Sequence, residues 1–329
     1  MNKSAETKKY MPLVGAAGIG SMLGSGIIIG LSATITVWQS GLGLTDGQVG
    51  ILSGALTFAI AAGSLLAGNI TKLFGLIRSF NMMNLMYLIG AAICVLSGNF
   101  PVLLAGLIIT GFASGADLPI SLTVISHDAP NEKVSASLIA STQVFWQIGV
   151  LGSYAMAFIV SHVEGAAGAR MVFALLAVLA GIAFVWRTFS KKFKEFHAAG
   201  DEYRAAEGTK TSTEVSFASL FKGTDGKKYV SFFSCIIIFY VCWNLLANTF
   251  GQFQTYILVK ANASQSLATG CGIVLNIVGL ICGILFASAA GSKHRNKFFY
   301  VGIVIQAGAM IGIAPVSYTH LTLPTTSRV

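Results

Sequence analysis

The sequence predicts an all-α, multi-pass transmembrane helical bundle: a six-helix N-terminal half followed by about three helices of a second half. Three observations predict it. Of the 329 residues, 54% are hydrophobic and only 10% are charged, where a soluble domain carries about 25% charged residues. The apolar residues fall in runs long enough to cross a bilayer, which takes about 20 residues of helix. The basic residues lie in the gaps between those runs, and almost all on one side.

The first run, 11–37, is glycine-rich (Gly15, Gly18, Gly20, Gly24, Gly26, Gly30), and small residues let helix backbones approach closely in lipid. Its Ser21, Ser25, Ser32 and Thr36 share one helical face, expected to point into the protein. Runs 48–70, 79–97, 101–125, 137–161 and 169–187 follow with short gaps, so neighbours form antiparallel hairpins. The stretch 188–228 is polar and charged and reads as a linker, with Phe193-Lys194-Glu195-Phe196 as the possible start of a surface helix. Runs 229–258, 266–290 and a barely sufficient 298–315 complete the set. This gives a bundle over 1–187, a linker over 188–228 and three helices over 229–315. The last stretch, 316–329, has no helical apolar stripe and breaks at Pro324; it is similar to translated adapter DNA and is expected to be a non-native tail on a truncated chain.

Charge sets the orientation. With the N-terminus inside, the inner segments hold eighteen Lys and Arg residues, and the outer loops hold only Arg170 and Lys260. The expected location is a cell membrane, inner or plasma, with the N-terminus and 188–228 in the cytoplasm. The net charge of +9 is thereby assigned to topology, since no basic-aromatic face suggests nucleic acid. The five cysteines lie inside apolar runs without metal-ligand spacing to a histidine and read as reduced packing residues. No metal and no cofactor is expected.

Two polar patterns interrupt the apolar runs. Asp117 is the sole carboxylate well inside one, with Thr110, Ser114 and Ser121 on its face. A charge there is costly unless it faces protein or water, which makes Asp117 the proton-coupling candidate, with a structural acceptor as the alternative. In the seventh run, Tyr240, Asn244, Asn248 and Gln252 follow at steps of four, flanked by Trp243 and Gln254. Uncharged amides both donate and accept, which suits a neutral polar solute. Gln143 and Gln147, with Trp146 between them, add a second pair in the fifth run. All these amides are substrate-binding candidates, with interhelical hydrogen bonding as the other reading. His127 and Asp128 read as a hydrated pair at a helix end, and no nucleophile motif or phosphate loop points to an enzyme or an ATP-driven pump.

The stretch from Gly68 through Lys72 and Gly75 to Arg78 resembles the loop between helices 2 and 3 of the major facilitator superfamily, Gly-x-x-x-Asp-Arg-x-Gly-Arg-Arg, with Lys72 where the family has Asp. Gly111 to Pro119, continuing to Pro130, Gln143, Trp146 and Gly149, resembles its sugar-porter and metabolite-symporter branch. Against the branch pattern Glu-x-x-Pro-x-x-x-Arg-Gly, His127 takes the place of Glu and Val134 that of Arg. Leu107 stands where an Arg often begins helix 4, and the Gly24-Ser25-Gly26 region where many relatives carry an Asp. The resemblance implies twelve helices in two halves with solute bound between them. It makes Gly68, Lys72, Gly75 and Arg78 a conformational loop. The expected function is secondary transport of a small polar metabolite, such as a sugar or polyol, by alternating access. Proton symport and uniport both stay open, as does a non-transporting receptor or scaffold on the same fold.

Overall fold

The computed structural model describes residues 9–206 and 226–290, together with 297, 300–305, 307 and 308. The expected tail at 316–329 lies outside the described residues, as do most of the ninth run and of 207–228. The described residues are all-α. The helices are α1 (Met11–Leu42), α2 (Asp46–Phe74), α3 (Leu76–Leu96), α4 (Phe100–Asp128), α5 (Glu132–Ile159), α6 (Ala167–Phe189), α7 (Lys191–Ala206), α8 (Gly226–Lys260) and α9 (Gln265–Ala290). Residues 300–305 are also helical.

Most helices outrun their apolar stretches by a few residues, and at three of their starts a polar cap satisfies exposed backbone amides. Thr45 and Gln48 form a capping box at the start of α2. Asn99 and Asn131 accept from Val102 N–H and Val134 N–H at the starts of α4 and α5.

Among the described residues, seven helices are long and apolar enough to cross a membrane: α1 to α6 and α9 over Gln265–Cys282. α8, at 35 residues, is also long enough to span.

In the first six helices, α4 packs between α2 and α3, α1 lies against α4, α5 and α6, and α3 packs on α6. Two apolar clusters fill this bundle. One, with Leu23, Trp38, Leu52, Tyr87 and Phe173, occupies the end where α2, α4 and α6 begin, called here the far end. The other, with Leu13, Val14, Phe80, Ile120 and Val124, occupies the end where α1 begins, the N-terminal end. Beyond the bundle, α8 packs against α1, and α9 against α5 and α8.

Two local readings change. The first part of the expected linker is the helix α7, whose Phe193 and Phe196 join the N-terminal apolar cluster. Phe196 stacks near Tyr10 and Phe193 near Trp186, with ring centroids 5.1 and 5.3 Å apart. Asp128, read as hydrated, is fully buried beneath this helix. The cysteines, expected as buried packing residues, also differ: only Cys94 is buried, Cys271 is half-buried, Cys235, Cys242 and Cys282 are exposed, and all five are free thiols.

Candidate functional site

A polar cluster lies where the two apolar clusters meet. Asp117 on α4 is 3% exposed, and its Oδ1 accepts from Arg187 Nη1 at 2.6 Å. Arg187 lies in the last turn of α6 and is also buried. Its Nε and Nη2 donate to the Ala16 carbonyl at 3.0 and 2.8 Å, and its Nη1 donates to the Phe80 carbonyl at 2.9 Å. Its guanidinium lies 3.8 Å from the Phe80 ring centroid. Asn84, turned so that its oxygen faces Arg187, accepts at 3.0 and 2.8 Å. Ser121 donates to Asp117 Oδ2 at 3.2 Å. α1 reaches the pair only because residue 20 is glycine: a Cβ there would sit 1.8 Å from Asp117 Oδ2.

Arg187 is the buried partner that the sequence reading does not single out; in sequence it is one of the charges flanking the sixth run. The signal was its place at the end of an apolar run, one side chain's reach inside the bundle. It gives Asp117 a partner, so the sole intramembrane carboxylate is not a solitary charge. This satisfies the rule that intramembrane charges pair or face the interior.

The amide stripe of α8 forms a ladder. Asn244 donates to the Tyr240 carbonyl at 2.7 Å, and Asn248 donates to Asn244 Oδ1. Gln252 crosses to α2, donating to the Ser53 carbonyl at 3.2 Å and to Thr57 Oγ1 at 3.3 Å. Asn248 is exposed, Asn244 and Gln252 are half-buried, and Tyr240 is 65% exposed. The side chain of Trp243 lies outside what is described. On α5, Gln143 is exposed and Gln147 half-buried. α5 and α8 do not pack on each other; each packs on α1. Ser25 donates to the Trp146 carbonyl of α5 at 2.8 Å, and Ser32 donates to the Gly251 carbonyl of α8 at 3.1 Å. The inward-facing serines of α1 therefore set the spacing of the two amide-bearing helices.

The far end is tied shut across the two groups of helices. Lys260 Nζ meets Asp46 Oδ1 at 3.1 Å, and Gln39 donates to the same oxygen at 2.6 Å. The hydrogen bond to Asp46 raises the pKa of Lys260 above that of a free lysine, with desolvation opposing. Thr36 donates to Gln265 Oε1 at 2.6 Å, Gln265 donates to the Ala33 carbonyl at 2.7 Å, and Ser161 and Ser266 share a hydrogen bond of 2.8 Å. At the N-terminal end, by contrast, α8 is exposed from Ser231 to Cys242, Trp243 lying beyond. The two groups of helices thus meet at the far end and part towards the other.

A groove of about 700 Å³ lies near the far end between α5, α8 and α9, lined by Phe158, Phe250, Ile257, Leu267 and Val274. Gln254, expected to flank the stripe, lines this groove instead. Its wall is almost wholly apolar, so it lacks the groups that would recognise a polar solute.

In the loop at the N-terminal end, Gly75 adopts φ +83° between α2 and α3, a conformation that favours glycine. Ser79 Oγ donates to its carbonyl at 2.8 Å. Lys72 and Arg78 are exposed, and Gly68 faces open space. Nothing in this conformation explains why residue 68 is glycine.

Comparison with known proteins places this geometry. The Major Facilitator Superfamily model matches residues 14–326. The minor myo-inositol transporter IolF of Bacillus subtilis is 28% identical over 309 residues, covering 92% of this chain and 68% of that protein. Solute carrier family 2, facilitated glucose transporter member 10, of Xenopus laevis is 24% identical, covering 92% of this chain and 57% of that protein. Among solved structures, the partially occluded inward-open conformation of the xylose transporter XylE from E. coli superposes with a TM-score of 0.65 at 14% identity, over 88% of this chain and 74% of that one. The family match covers nearly the whole chain, and the fold agrees: this chain belongs to the Major Facilitator Superfamily.

Proposed function

We propose that the chain serves secondary transport of a small, uncharged polar metabolite of the sugar or polyol kind, by alternating access across a cell membrane. The observation that carries this reading is the uncharged amide ladder of α8, on a helix that packs on α1 as the amide-bearing α5 does. It offers donors and acceptors without net charge, which suits a hydroxyl-rich solute. The relatives named for myo-inositol and glucose support the same class. Tyr240, Trp243, Asn244, Asn248 and Gln252 on α8, with Gln143 and Gln147 on α5, are the proposed solute contacts.

The basic asymmetry of the loops supports an N-terminus in the cytoplasm. The tied far end then faces outward, and the parted end faces the cytoplasm. Gly68, Lys72, Gly75 and Arg78 lie at that cytoplasmic end, where a conformational loop would sit.

Asp117 is the proposed proton carrier. Arg187 keeps the Ala16 and Phe80 carbonyls and the Asn84 oxygen as acceptors, so neutralising Asp117 does not strip the arginine of partners.

The test is uptake of radiolabelled myo-inositol and xylose into proteoliposomes carrying a complete twelve-helix protein that contains this chain, with and without an imposed pH gradient; 1–329 alone, with about three helices of the second half, is not expected to transport. Saturable, competable flux is expected of the complete protein. In Asp117→Asn, uphill accumulation should vanish while downhill exchange survives. Absence of flux for every polyol and sugar tried would reject the substrate class; accumulation that survives Asp117→Asn would reject only the carrier assignment.

A further inference from the structure

Asp128 ends α4, and both of its carboxylate oxygens are taken by histidines. His127 Nδ1 lies 2.8 Å from Oδ1, and His197 Nδ1 of α7 lies 2.6 Å from Oδ2. His127 Nε2 in turn meets Asp201 of α7 at 3.2 Å. The two helices therefore alternate in one chain of contacts: Asp201, His127, Asp128, His197. The carboxylate at its centre is fully buried. α7 can come this close because residue 200 is glycine; a Cβ there would lie 2.8 Å from His127 Nδ1 and 2.9 Å from Asp128 Oδ1.

The inner face of α7 consists of Phe193, Phe196, His197 and Gly200, at the spacing of one helical stripe. All four are buried against the protein, while Lys191, Lys192, Lys194, Glu195, Asp201 and Glu202 are exposed. Its amphipathic face is thus spent on its own bundle and is not left for a membrane surface.

We propose that Asp128 clasps α7 to the first six helices through His127 and His197, so that seven helices, not six, move as one body during the transport cycle. The boundary between the moving halves then falls after Ala206 and not at the end of α6. Buried carboxylates holding charge-assisted hydrogen bonds on both oxygens are strong and directional, and removing one partner leaves the other exposed to its full desolvation cost. The clasp therefore comes apart as a unit. It does not depend on which solute is carried.

Hydrogen exchange followed by mass spectrometry on the full chain in lipid nanodiscs tests this. His197→Gln and Gly200→Val alter only α7 and leave the six-helix bundle intact; Asp128→Asn removes the shared carboxylate. In each, amides over 193–204 are expected to exchange at least about tenfold faster, while those of α4 over 103–121 keep their rates. The tenfold figure corresponds to loss of a single hydrogen bond's net contribution, on the order of 1 kcal/mol or more. Unchanged α7 exchange in both His197→Gln and Gly200→Val would overturn the clasp. So would equal loosening of α4 and α7 in His197→Gln, because the contact would then be part of the bundle's own stability.

Discussion

Replacing Arg187 by methionine isolates the worth of the buried ion pair. The substitution keeps much of the side chain's length and apolar stem but removes every donor. Asp117, 3% exposed, would keep only the Ser121 hydroxyl at 3.2 Å. The Ala16 and Phe80 carbonyls would each lose an arginine bond as well. Breaking a buried pair from one side costs about 3–5 kcal/mol, because a charge is left uncompensated. Asp117→Asn should cost less, about 1–3 kcal/mol, since Arg187 keeps its carbonyl acceptors and the new amide oxygen can still accept. The combined variant removes both charges. It should be less destabilised than the sum of the two, by up to about 3 kcal/mol. Reversible unfolding in mixed lipid–detergent micelles, titrated with a denaturing detergent, measures all three. If the two single costs add to within about 0.5 kcal/mol in the double variant, the residues are not coupled. The ion pair would then not hold α4 to α6.

Asn248→Ala removes the exposed rung of the α8 ladder; the apparent affinity for a polyol substrate should fall about tenfold or more while folded yield is unchanged, as a lost solute hydrogen bond implies, and unaltered affinity would remove Asn248 from the solute contacts. Cysteines at positions 46 and 260, in place of the Asp46–Lys260 pair, should join when oxidised and halt transport, and a membrane-impermeant thiol reagent should reach them from outside intact cells; labelling only after permeabilisation would reverse the orientation.

Much of the fold was legible because lipid imposes one rule on every span: the backbone must satisfy itself, so apolar length reads directly as helix. Runs such as 101–125 and 169–187 became α4 and α6 with ends displaced by three residues or fewer. The earlier start of α4 follows from the polar cap at Asn99, which hydropathy ignores. α7 was less legible. Sixteen residues with four basic and three acidic groups read as solvated, and the two phenylalanines that seat it gain meaning only beside Tyr10 and Trp186, distant in sequence. The stripe on α8 was visible as spacing, and Gln254, only two residues beyond Gln252, turned out to face a different wall. A step of two residues on a helix turns the side chain by about 200°, so nearness in sequence misled there. Arg187 was hidden for another reason. A charge at the end of an apolar run is usually a topological flank, and only the neighbouring helices determine whether it turns outward or inward.

The placement of the two polar features limits how transport and proton uptake could be linked. The ion pair lies within the first six helices, held by α1, α3, α4 and α6, and no described residue of α8 or α9 contributes to it. The amide ladder belongs to α8. α1 borders both. Gly20 lies against Asp117 and Arg187, Ser25 holds α5 through the Trp146 carbonyl, and Ser32 holds α8 through the Gly251 carbonyl. These positions run along one helix over roughly 18 Å, at about 1.5 Å per residue. A change at Asp117 that shifted α1 would therefore be felt at both amide-bearing helices at once. Spatial continuity alone does not establish coupling; a two-state element biased from both ends does. α1 is the helix in contact with both sites on which such an element would have to act. Its serines bond to backbone carbonyls on the two helices that a solute would bridge, and its glycine admits the ion pair whose charge a proton would change.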